Sequence, residues 1–95
     1  MQYLALMHNN TDTIPTAAEW ETFIAVASQS GMFQGGSAIG ARQIIGSKPV
    51  RDTTVDVGGY MRFDANDLSQ LQELLQQHPT IKHGGAIELC ELPET

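Results

Sequence analysis

From Val55 to Phe63 the chain alternates: Val55, Val57, Gly59, Met61 and Phe63 make one set, Asp56, Gly58, Tyr60 and Arg62 the other. A period of two is the signature of a strand with one face on a core and one face off it. The period then changes. After Asp64, which can cap a helix, Leu68, Leu71, Leu74 and Leu75 recur at helical spacing, and Pro79 ends that run around His78. Gly84-Gly85 supplies a turn into a last strand, Ala86 to Leu92.

The first half repeats the order. Tyr3 to Met7 is apolar on both alternating sets, as a central strand is. Thr16 and Glu19 form a capping box, followed by an apolar stripe of Trp20, Phe23, Ile24 and Ala27 and a terminating Gly31. Met32 to Ile39 reads as a strand in which Gly35 and Gly36 point to a bulge or to close approach of another backbone. Gln43-Ile44-Ile45 offers a brief further pairing segment, and Gly46-Ser47-Lys48-Pro49 is turn chemistry.

Two β-α-β halves fold into an α+β, ferredoxin-like βαββαβ domain. It has a four-stranded antiparallel sheet with both helices on one face. The other face carries Tyr60, Arg62, Glu88 and Cys90, with one set from the first strand. Its apolar members call for cover, which a second copy of the sheet supplies in a homodimer.

Composition narrows the function classes. The 95 residues make one domain, 1–95, with a single cysteine, so neither an internal disulfide nor a cysteine-rich metal site is available. A lone thiol and an N-terminus without a basic, cleavable leader predict a cytoplasmic protein. The formal net charge is −6, and the fixed cations are Arg42, Lys48, Arg51, Arg62 and Lys82. Asp52 and Asp56 follow the one basic segment, so neither nucleic acid nor an anionic membrane is an expected partner. Gly35 to Gly40 is out of register for a dinucleotide fingerprint, and Gly46-Ser47-Lys48 reverses the order of a phosphate-binding loop. No cofactor is implied.

Gly58-Gly59-Tyr60, the leucine helix, His78-Pro79 and Gly84-Gly85-Ala86-Ile87-Glu88-Leu89 together resemble the YCII-related family, above all its DGPF branch. Tyr3 to Met7 and Gly35-Gly36 fit the same pattern. The resemblance implies a dimeric α/β barrel with a cleft between sheet and partner subunit, a small-molecule ligand, and acid–base chemistry by analogy with small isomerases and lyases. The departures are specific. Lys48-Pro49-Val50-Arg51-Asp52 stands where the Asp-Gly-Pro-Phe signature falls, Cys90 replaces a common arginine, and Thr16 to Ser30 holds no histidine for the His-Asp pair of YCII relatives. A non-enzymatic interaction or regulatory module is the alternative.

Candidate catalytic residues are Asp52, Asp56 and His78. Either aspartate, with its pKa raised at a cleft mouth, can abstract a proton; the bland reading of both is a solvated loop. His78, in the last turn of the second helix, is either an acid–base group or a C-terminal cap. Tyr60, Arg62, Arg51, His83 and Glu88 are candidate ligand-binding residues, with ion pairing at an interface as the plainer role for Arg62 and Glu88. His78 and His83 do not have the spacing of metal ligands.

Overall fold

A computed structural model describes residues 1–50 and 55–94. The order is β1 (Gln2–His8), α1 (Ala17–Gln29), β2 (Phe33–Ala38), β3 (Val57–Asp64), α2 (Leu68–Leu75), a short α3 (Pro79–Lys82) and β4 (Ile87–Leu92). The strands form one sheet in the order β2-β3-β1-β4, and each adjacent pair is antiparallel. This is the α+β, βαββαβ arrangement expected from the two repeated halves.

The two longer helices, α1 and α2, begin as side-chain chemistry dictates. Thr16 accepts from the Glu19 backbone N–H, and Glu19 accepts in return from the Thr16 N–H, a closed capping box. α2 is capped by Asp67, which accepts from the Ser69 N–H, and not by Asp64. Asp64 is the last residue of β3, paired with Gln2, because β1 extends the ladder that far.

The core lies between the sheet and the helices. Tyr3 and Ala5 of β1 and Met61 and Phe63 of β3 meet Phe23 and Ala27 of α1 and Leu71, Leu74 and Leu75 of α2. Phe63 and Leu71 are fully buried, each contributing about 2–3 kcal/mol of hydrophobic stabilisation. Leu68, at the opening of α2, is exposed instead of completing the stripe.

Two local corrections matter for the site. The chain between β2 and β3 adds no strand at Gln43–Ile45; residues 39–50 are irregular, and Ile44 and Ile45 are exposed. Pro79 does not close α2. The helix ends at Leu75, and Pro79 opens α3 from its first position, where a missing N–H costs nothing.

Candidate functional site

The β2–β3 pair sets the geometry. Phe33 pairs with Phe63, but Gly35 pairs with Arg62, so β2 carries one extra residue at this point. The bulge shifts the alternation by one and puts Gly36 opposite Met61 and Ala38 opposite Gly59. Gly36 has to be glycine: a Cβ there would run into the Tyr60 carbonyl oxygen and come within 2.9 Å of Met61 Cα. Small residues at Gly36, Ala38 and Gly59 therefore sit together under α1, on the covered side of the sheet.

Space is left where side chains are missing. A cavity of about 300 Å³ lies there, roofed by Trp20 and Ile24 of α1, with Phe33, Met7 and Met61 along its apolar wall. Asn9 and Thr80 are polar residues of its lining, while Ser37 and Tyr60 border it from paired strand positions whose side chains face away from the helices. An apolar chamber with a few convergent hydrogen-bonding groups is the usual form of a small-molecule site. Ile24, placed on the core stripe by periodicity, is 38% exposed because it overhangs this space.

His78 stands beside the cavity and is not a helix C-cap. It is the N-cap of α3, and its Nδ1 accepts from the Thr80 N–H at 3.0 Å. Its ring is fully buried against Trp20 and Phe23, with centroids 4.9 and 4.6 Å away. Burial pushes its pKa down to about 4, the reverse of what a helix C-terminus would do.

His83 follows α3 and links three segments. Its Nε2 lies 2.6 Å from a Glu19 carboxylate oxygen, and its Nδ1 lies 2.6 Å from the Thr13 hydroxyl. With Nε2–H donating to the carboxylate, Nδ1 is left to accept from Thr13. This bond, then the Thr16 backbone N–H, holds Glu19 below the usual carboxylate range. Such a chain can polarise a hydroxyl; here it also ties the β1–α1 connection to α3.

The remaining candidates are dispersed. Tyr60 and Arg62 lie in the β3 set that faces away from the helices, opposite Leu6 and Leu4. Tyr60 borders the cavity from β3, while Arg62 is exposed. Glu88 is on that same open face and pairs with His8, Nε2 to Oε1 at 3.1 Å, not with Arg62. Asp56 is exposed ahead of β3, where its carbonyl accepts from the Asn9 N–H. Arg51 and Asp52 lie outside the described residues.

Sequence reasoning missed Trp20, Ile24, Phe33, Asn9, Ser37 and Thr80 as a lining. The available signal was the run of small residues on β2 and β3 opposite a tryptophan-bearing helix. The bulge hides it, since unbroken alternation assigns Gly36 to the wrong face.

No protein-family model matches the chain, and no curated protein matches it by sequence. Among solved structures it is similar to the 5-chloro-2-hydroxyhydroquinone dehydrochlorinase TftG from Burkholderia phenoliruptrix AC1100, determined in complex with 2,5-dihydroxybenzoquinone. The two superpose with a TM-score of 0.58 at 14% identity, over all of this chain and 96% of the other. At that identity the likeness is one of fold, the α+β βαββαβ arrangement with its four-stranded antiparallel sheet.

Proposed function

We propose that this chain is a YCII-like homodimeric protein that binds a small organic molecule in the cavity between α1, β2 and β3. The observation that carries the reading is the lining: Trp20, Phe33, Ile24, Met7 and Met61 with the polar residues Asn9 and Thr80. It suits a flat ring bearing one or more oxygen substituents. The similar structure holds a flat ring with four oxygen substituents, 2,5-dihydroxybenzoquinone. Among the described residues Tyr60 is the only ionisable member of the lining, so binding is better supported than acid–base turnover by Asp56 or His78.

Trp20 is the only tryptophan, so its emission reports on the cavity directly. Titration with hydroxylated benzenes and quinones, 2,5-dihydroxybenzoquinone included, should quench Trp20 and raise the melting temperature. Saturation at about a hundredfold above Kd corresponds to roughly 2.7 kcal/mol of stabilisation. Ala38→Phe, which fills the chamber, should remove both responses. A panel that moves neither emission nor melting temperature would sink the reading.

A second reading, an interaction or regulatory module, is favoured by one observation. Ile44, Ile45 and Val50 are all more than half exposed in the segment after β2. It expects Ile45→Asp to change the protein's association state or partner binding while leaving Trp20 quenching intact.

A further inference from the structure

Two residues of the cavity wall, Trp20 and Thr80, share a neighbour that is not itself part of the lining. His78 accepts the Thr80 N–H at Nδ1 and meets the Trp20 ring almost perpendicularly, at 89°. The bond at Nδ1 fixes the tautomer, so the proton of the neutral ring sits on Nε2. That atom is fully buried and has no hydrogen-bond partner among the described residues. Orphaned buried donors are rare enough to require an explanation. A perpendicular contact at a centroid distance of 4.9 Å is a favourable aromatic pairing, in which the edge of one ring meets the face of the other.

We propose that His78 is a positioning residue for the cavity: as a neutral ring it pins Trp20 and Thr80 into the wall, and its protonation frees Trp20 and weakens ligand binding. The inference rests on the cavity being the binding site. A second proton gives the ring a charge in a pocket built from Trp20 and Phe23 of α1 and Pro79 and Thr80 at the start of α3. No charged neighbour offsets that charge, since burial is the sole cause of the shift in its titration. The ionisable groups on the packed helices are otherwise placed: Glu19 of α1 is bonded to His83, while Glu21 of α1, Glu73 of α2 and Lys82 of α3 are exposed. Water is the remaining source of solvation, and it reaches the ring by displacement of Trp20. Linkage makes the effect reciprocal: a ligand packed on Trp20 holds His78 neutral.

The experiment has an unliganded arm and a liganded arm. In the first, Trp20 emission of the wild-type protein is followed from about pH 8 to about pH 3, past the depressed titration of His78, with far-ultraviolet circular dichroism recorded on the same samples. The emission should change with a midpoint below the ordinary histidine value while the dichroism holds. His78→Phe, which fills the pocket without a proton to gain, and His78→Gln, which keeps a donor, should both give a flat profile. In the second arm the probe is N-phenyl-1-naphthylamine, which is neutral across this range. Its affinity for the wild type should fall by about tenfold or more at the acid end and stay level in both variants. A flat wild-type profile, a transition that survives in both variants, or emission that changes only together with dichroism would each overturn the positioning role. Failure of the dye to bind at any pH, with the unliganded transition intact, would refute the cavity reading and the ligand linkage while leaving the His78–Trp20 contact standing.

Discussion

His78 ties stability to pH with a definite sign. In the unfolded chain it titrates at its ordinary 6.5; in the fold burial pushes it down to about 4. Between those values the unfolded chain binds more protons, so stability is complete above the upper value and falls as pH drops toward the lower. The share at stake is roughly 3 kcal/mol. Urea denaturation at about pH 7 and pH 4.5 should show that loss in the wild type and a smaller one in His78→Phe. Glu19 adds a second dependence in the carboxylate range. Its pKa is lowered, chiefly by the His83 bond, so its contribution is present above its ordinary 4.5 and disappears as pH falls below it. Thr16→Ala opens the capping box and should cost about 1 kcal/mol in thermal or chemical denaturation. The capping box is legible in the sequence because its partners are three residues apart. The role of His78 is not, because its neighbours on α1 lie more than fifty residues away in the chain.

Elements show the same division. The period-two run of β3 and the leucine spacing of α2 assign each its buried face: Val57, Met61, Phe63, Leu71, Leu74 and Leu75 are buried, while Val55, ahead of β3, and Leu68, at the opening of α2, are exposed. β2 departs from its period at Gln34, and the bulge is what brings Gly36, Ala38 and Gly59 under α1. Gly36→Ala should therefore destabilise by roughly 1–3 kcal/mol, since the atoms met by the new methyl belong to the β3 backbone and cannot step aside. A variant as stable as the wild type by denaturant midpoint would mean that the bulge relaxes freely. The glycine pair announces an irregularity in the sequence, but the residue at which register slips depends on the partner strand. Pro79 is a similar case: it marks a helix boundary, and whether it ends one helix or starts another is decided by His78 finding a buried pocket beside Trp20.

For the whole molecule, the open face of the sheet is the outstanding surface. Leu4 and Leu6 of β1, Tyr60 of β3 and Cys90 and Leu92 of β4 lie on it, with Arg62, His8 and Glu88 among them. Pairing two such faces is the dimer that the fold class accommodates, and light scattering should give twice the chain mass. Leu6→Arg should halve that mass without abolishing the fold, because Leu6 belongs to the open set and not to the core. In the described residues no helix is long and apolar enough to cross a membrane. By itself the amino-acid sequence determined the order of the four strands and the two longer helices, the inner faces of β1, β3 and α2 and the Thr16–Glu19 capping box, since each of these is a relation between residues a few positions apart. Only the tertiary structure decided where the cavity lies, that His78 is buried and neutral beside it, and that His83 bonds Glu19 and Thr13 while Asp56 and Arg62 stay exposed. Those outcomes depend on strand register and on contacts across distant parts of the chain, which local periodicity does not encode.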